Sequence, residues 1–374
     1  MISTILANAF IAVEVIAVFT LIVFVHEMGH YLVARWNGVA ISAFSIGFGR
    51  ELFGFNDRLG TRWRLSAIPL GGYVRFVGDM NAASVPDPDA AETVDPALRP
   101  HLFVNKNVWQ RIAIVFAGPA ANVLFTFLIL YALLVGFGRY TLPPVIDSVT
   151  PGSVAAEAGL QPGDVVKSVD GFAVRGFEDF QRLVATAPDR QIDVMVDRNG
   201  QNVELLMTPQ AVETTDRFGN PQRIGRIGAS RSVDSGDVTL YRPGPVEAVG
   251  MTFQEIRFIV ERTGAFLGDF FVGRGDVQQI GGPVKVAELT AQVAALGIVP
   301  LVSLAAFLSL NIGLFNLLPI PLLDGGHLLY YFFEVVRGKP LSSRVQEIGF
   351  RFGLALVLTI AAFTLVNDLP SLWQ

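Results

Sequence analysis

The chain of 374 residues contains no cysteine. Disulfides are therefore excluded, and so are thiolate ligands; a metal could be held only by imidazole and carboxylate. Charge is also scarce. Asp, Glu, Lys and Arg make up 16% of the residues, against about 25% in soluble domains. A formal net charge of −5 argues against a nucleic-acid partner. Only four histidines occur, and two of them, His26 and His30, share one pentapeptide. The first residues lack the basic stretch of a cleaved signal peptide, so the opening hydrophobic run is expected to be a retained helix.

Apolar residues, 51% of the chain, are gathered into long runs. Four spans are predicted, at Leu6–Ala34, Ile112–Gly136, Leu296–Leu318 and Phe352–Val366. The last is short against the roughly 20 residues a bilayer requires. Nine basic residues lie between the first two spans: Arg35, Arg50, Arg58, Arg62, Arg64, Arg75, Arg99, Lys106 and Arg111. Arg337, Lys339, Arg344 and Arg351 lie before the fourth, while the first ten residues and everything beyond Arg351 carry none. Both basic loops are expected to be cytoplasmic, with both termini on the other side.

The first span ends in His26-Glu27-Met28-Gly29-His30. On a helix, positions i and i+4 share one face about 6 Å apart, so two imidazoles can reach one metal ion with Glu27 beside its open side. Ionisable groups at membrane depth are expensive, which makes such a cluster a functional expectation. A catalytic site needs a third protein ligand. Glu14 is about three turns too far along the same span. Asp324 follows the third span, in a segment from Asn316 to His327 where Pro319 and Pro321 break the helix and Gly325-Gly326 permit close backbone approach. A broken helix in a bilayer is tolerated only against protein or a water-filled cavity.

The remaining segments have their own signatures. Arg64–Ile68 and Tyr73–Val77 read as two strands around Pro69-Leu70-Gly71-Gly72, with an edge able to pair with an extended peptide. Ala82–Pro100 reads as a loop. In the insert Leu142–Pro209, strands are expected at Val145–Val149 and Val165–Val169, and a helix at Phe177–Thr186. A hairpin, Ile192–Val196 with Val203–Met207, turns about Asn199-Gly200. Pro151-Gly152-Ser153, then Ala155, Ala158-Gly159-Leu160 and Gly163-Asp164, give this insert a resemblance to bacterial PDZ domains. Gly244–Gln292 is amphipathic, suited to the membrane surface or to packing on the insert.

His-Glu-x-x-His in the first span, with Leu323-Asp324-Gly325 after a broken later span, resembles the site-2 protease family of intramembrane zinc metalloproteases. Gly118-Pro119-Ala120-Ala121-Asn122, Pro69–Val74 and Ile280-Gly281-Gly282-Pro283-Val284 extend the likeness. The PDZ-like insert points to the bacterial regulator-of-sigma-E protease branch, although some members carry two PDZ domains and this insert suits one. The resemblance implies a zinc ion on His26, His30 and Asp324 and Glu27 as general base. It implies a substrate held by Asn316, Pro319, Pro321, Gly71, Gly72 and Tyr73. His327 is not implied as a ligand. The implied substrates are single-span membrane proteins, such as trimmed anti-sigma factors or remnant signal peptides. A peptide partner at the PDZ-like groove is also implied. The setting is the bacterial inner membrane, with the site toward the cytoplasm and the insert outside.

The expected fold is a polytopic α-helical membrane protein with a membrane-associated β-hairpin region and an inserted extracytoplasmic PDZ-like domain. Its expected parts are 1–138, 139–230 (PDZ-like), 231–292 (an amphipathic connector) and 293–374. A catalytically silent PDZ-bearing binding protein would show an altered Glu27 or Asp324, and both are present. A metal transporter would need polar residues on spans two and four, which have almost none.

Overall fold

The computed structural model describes residues 2–79, 94–215, 221–232, 238–271 and 282–368. The chain forms two compact units, Met1–Leu130 with Asp276–Gln374, and Tyr131–Gly275.

In the first unit, α1 (Ile2–Trp36) is a long apolar helix. It stops where Gly38 takes a left-handed φ of 66° and the Asn37 amide turns back to the Val33 carbonyl at 2.8 Å. β1 (Ile41–Asn56) and β2 (Arg62–Phe76) pair antiparallel. The two short strands expected around Pro69–Gly72 are in fact one bent strand, β2. Gly71, at φ 99°, lets the backbone turn between Ile68 and Gly72, both of which pair with β1. β1 was not expected at all, because Gly47, Gly49 and Gly54 dilute its pattern. Gly47 is needed there, since a side chain would meet the carbonyls of Ser66 and Ile68. Ala43 and Phe44 each have partners on two sides, Arg75 with Arg62 and Val74 with Trp63. The sheet thereby folds over the end of α1. Tyr31, Ala34, Phe44, Phe76, Phe103 and Ile114 make the core beneath it.

The part of the Ala82–Pro100 loop up to residue 93 lies outside the described residues, as do Ile280 and Gly281. After short 3-10 turns at Arg99–His101 and Phe103–Asn105, α2 (Val108–Gly136) forms the second apolar helix.

The second unit begins at the end of α2. β3 (Arg139–Thr141) pairs with a late strand described below. β4 is only Ser148–Val149, shorter than the expected Val145–Val149, although Val145 still bridges to Val165. The short helix α3 (Val154–Glu157) is capped by the Ser153 hydroxyl, which accepts from the Ala156 amide. A four-stranded antiparallel sheet has the order β6-β5-β7-β8. Its strands are β5 (Val165–Val169), β6 (Phe172–Ala173), β7 (Ile192–Arg198) and β8 (Gln201–Met207). Asp170, Gly171, Asn199 and Gly200 all take positive φ, as type I′ turns require. The helix α4 (Phe177–Ala185) buries Phe180, Leu183 and Val184. Asp164 is 1% exposed and receives the Arg198 guanidinium at 2.7 and 2.8 Å and the Gln161 amide at 2.9 Å. Burial alone would raise its carboxyl; these donors more than offset it and hold it below the ordinary range.

β9 (Gln210–Thr215) pairs with β10 (Pro221–Arg226), β11 (Ala229–Ser230) with β4, and β12 (Thr239–Tyr241) with β3. The amphipathic segment opens as α5 (Pro245–Phe271). Its Phe258 meets Phe172 edge to face at 5.7 Å, and Glu255 takes the Arg182 fork at 2.5 and 2.8 Å. Val246, Phe253 and Val260 stay on its exposed side.

Back in the first unit lie α6 (Pro283–Ala294), α7 (Ile298–Asn316), α8 (Asp324–Arg337) and α9 (Ser343–Asp368). Gly282 precedes α6 because the Asp368 carboxylate sits where its side chain would be, accepting the Gly282 and Val284 amides at 2.9 Å each. Four helices among the described residues are long and apolar enough to cross a bilayer: Val13–Trp36, Val108–Gly136, Ile298–Asn316 and Arg344–Asp368. The fourth is longer than expected. It runs through Arg351, whose charge is met one turn earlier by Glu347 at 2.6 Å.

Candidate metal centre

Helix α1 delivers His26 and His30 to one face, their rings edge to face with centroids 4.9 Å apart. The start of α8 delivers Asp324. Its Oδ2 lies 3.2 Å from His26 Nε2 and 3.4 Å from His30 Nε2, and the two Nε2 atoms are 3.3 Å apart. The three side chains can each offer one ligand atom to a common point. Asn316 Nδ2 approaches His26 Nε2 at 3.5 Å.

His30 Nδ1 faces the Ile114 carbonyl at 2.9 Å. That contact assigns the ring proton to Nδ1 and leaves Nε2 as a bare acceptor. Asp324 Oδ2 is buried and has no hydrogen-bond partner. Two acceptors 3.4 Å apart repel unless a cation lies between them. The donor set therefore fits a metal ion with two imidazoles and one carboxylate, leaving a position open.

Glycines press the helices together around this point. A side chain on Gly29 would meet the Ala117 carbonyl, and one on Gly118 would strike the His30 ring. Gly325 and Gly326 close against the carbonyls of Leu317, Leu318 and Ile320, and Leu322 takes a φ of 102° to complete the turn. Asn122 ends the same Gly-Pro motif. It is fully buried, and its backbone carbonyl accepts the Ser309 and Thr126 hydroxyls, which seats α2 on α7.

A cavity of about 420 Å³ opens on the centre. Its wall includes Glu27, Gly71, Gly72, Tyr73, Asn316 and His327. Gly72 is packed so closely that a side chain would press on Val23 and Glu27, and the Val74 amide donates to the Glu27 carboxylate. Pro319 and Pro321 do not line the cavity. Pro319 is exposed, and Pro321 packs where Gly349 and Gly353 of α9 leave room. Their contribution is the shape of the turn.

The profile of peptidase family M50 matches residues 14–360. The chain belongs to peptidase family M50. A protein of Mesorhizobium japonicum named as a zinc metalloprotease is 48% identical to this M50 peptidase, covering 94% of this chain and 96% of its own. One of Rhizobium meliloti, named in the same way, is 45% identical and covers 94% of each chain. Metalloprotease MmpA of Caulobacter vibrioides is 38% identical over 96% of this chain and 94% of its own. The PDZ domain of an SdrC-like protein from Listeria monocytogenes covers 21% of this chain and 82% of its own at 21% identity. Its TM-score of 0.17 is too slight to carry an argument.

Sequence reasoning did not find the Ile114 carbonyl, Val74 or Tyr331 at the centre of this M50 peptidase. A backbone carbonyl and a backbone amide leave no mark on a sequence. Gly118 did leave one, in the Gly-Pro motif, but its task of making room for His30 emerges only when α2 is laid on α1.

Proposed function

We propose that this M50 peptidase is an intramembrane zinc metalloprotease of the bacterial inner membrane. It cuts single-span membrane proteins near the cytoplasmic face. One observation carries this reading: the Nε2 atoms of His26 and His30 and an unpartnered carboxylate oxygen of Asp324 converge beside Glu27, at the end of an apolar helix, in a cavity. The relatives named as zinc metalloproteases support zinc as the ion.

His26, His30 and Asp324 hold the ion. When bound, zinc supplies a Lewis acid that draws the pKa of water toward neutrality. Glu27 takes the proton from the attacking water and passes it to the leaving amide nitrogen. The Val74 amide orients that carboxylate. A substrate helix conceals its peptide bonds in its own ladder and must unwind first. The β2 edge at Gly71–Tyr73 offers it replacement backbone partners along the cavity, and Asn316 approaches from the opposite wall.

The 139–230 part has the element order of a PDZ domain, with an extended ligand able to add as a strand. Outside the membrane, it would exclude substrates that still carry a bulky outer domain. Anti-sigma factors after a first cut, and remnant signal peptides, meet that requirement. Sequential cleavage of this kind is regulated intramembrane proteolysis.

The test is cleavage of a single-span substrate in reconstituted membranes by wild type and Glu27→Gln, with zinc content measured in both. Loss of cleavage with zinc retained is the expected result. Equal turnover by the two proteins would overturn the assignment of Glu27, and a wild type without zinc would overturn the metal centre.

A further inference from the structure

Asp324 is the one member of the metal-ligand set that α1 does not carry. Its position depends on how α8 is held. At the near end, α8 is pinned by the turn in which Gly325 and Gly326 close on the preceding carbonyls. A rod pinned at one end can still turn about its axis, and such a turn would swing the Asp324 carboxylate away from the histidines. The helix needs a second fixed point.

That point lies ten residues on, roughly 15 Å along the helix. Glu334 Oε1 meets Arg111 Nη2 at 2.5 Å, and the two side chains are only 14% and 15% exposed. Arg111 also lies over the Tyr331 ring at 4.9 Å, and its Nε donates to the Lys106 carbonyl at 3.1 Å. The guanidinium is therefore engaged at Nη2, at Nε and on one of its faces. Asp324, Leu328 and Tyr331 follow helical spacing and Glu334 stands one turn beyond Tyr331, so this side of α8 leads from the metal centre past the cavity at Tyr331 to the ion pair. On the other side, Arg111 stands one turn before Ile114, whose carbonyl seats His30, and two turns before Gly118, which makes room for that ring. One ion pair thus ties the helix that supplies the carboxylate to the helix that orients a histidine.

We propose that Arg111 is a positioning residue for the metal centre, fixing the rotation of α8 through Glu334 and Tyr331 and so holding Asp324 against His26 and His30. The proposal rests on the metal-centre reading above. Exposed ion pairs contribute little, but a pair this sheltered leaves an uncompensated charge when one partner is removed. A Lys at position 111 would keep the charge and lose the fork and the flat stacking on Tyr331.

The test uses the full-length protein and reads zinc affinity by chelator competition, with the visible spectrum of the cobalt-substituted protein as a second signal. The variants are Arg111→Gln, Glu334→Gln, Arg111→Lys, and the exchange of Arg111→Glu with Glu334→Arg. Either Gln variant should weaken zinc binding by up to about tenfold, the lower end of the range for groups that touch a metal ligand directly, and should alter the cobalt spectrum. The exchange should recover most of the loss, and Arg111→Lys should fall between. If the Gln variants fail to fold, the Lys variant and the exchange decide. Wild-type affinity and an unchanged spectrum in every variant that folds would overturn the proposal. His26→Ala is the control: a wild type that binds zinc no better than this control defeats the metal centre itself, not the clamp.

Discussion

Gly118 and Gly136 lie on the same helix under opposite constraints. At Gly136 there is nothing within reach of a side chain, whereas at Gly118 a methyl group would occupy the place of the His30 ring. Gly136→Ala, at the last residue of α2, should therefore leave stability nearly unchanged. Gly118→Ala should displace His30, lower zinc affinity and abolish cleavage, with the helical content retained. Measuring bound zinc in the two purified variants checks this, and equal zinc in both would show that the ring has room to move. At this scale the sequence was legible where one helix does the work. His26, Glu27 and His30 are placed by a spacing of four residues. The seat of His30 was not legible, because Ile114 and Gly118 reach it from another helix and act through a carbonyl and an absent side chain.

Among the elements, a carboxylate in the turn between β1 and β2 adds a polar tie between the sheet and α1. Asp57 accepts the Leu59 and Thr61 amides at 2.9 Å, the Tyr31 hydroxyl at 3.0 Å and the Trp63 indole at 3.1 Å. Burial works to raise its carboxyl, but the Trp63, Thr61, Tyr31 and Leu59 donors together bring it down from 3.8 to about 2. A depressed carboxylate stabilises the fold above its ordinary pKa and loses that contribution as pH falls through the native value. The sheet should thus loosen between about pH 4 and pH 2. Trp63 fluorescence, in a protein whose other tryptophans are phenylalanine, should report the change, and Asp57→Asn should remove its acid limb. A transition unaltered by Asp57→Asn would assign it to another group. The strand half of this sheet was partly legible, since Arg64–Ile68 and Tyr73–Val77 alternate as strands do. Their continuity was hidden by Pro69 and Gly71, which mark a break in most sequences and here mark a bend. β1 was hidden by its glycines, which serve close backbone crossings and carry no hydrophobic period.

For the whole molecule, the long apolar runs made the four candidate spans legible, and the short fourth one was misjudged because Arg351 interrupts it. Sidedness rests on charge. Outside the second unit, the segments leading into α2 and α9 hold nearly all the basic residues, and the positive-inside tendency predicts both in the cytoplasm. Trp36 and Trp109, 89% and 66% exposed at the end of α1 and the start of α2, suit the same interface. On that expectation the second unit is predicted to lie outside, because one candidate span separates it from that loop. A chain without cysteine offers an unmarked background for testing this. Ala97→Cys and Gln201→Cys place single thiols at exposed positions, one in the loop before α2 and one on β8. A maleimide that cannot cross membranes should label Gln201→Cys in cells whose outer membrane is permeabilised. It should label Ala97→Cys only after the inner membrane is broken. The reverse pattern would put the site on the outer face, where a zinc protease could no longer release a substrate fragment into the cytoplasm. Labelling of both from one side would require an odd number of crossings less than the sequence provides, and α2 would then lie against the membrane without spanning it.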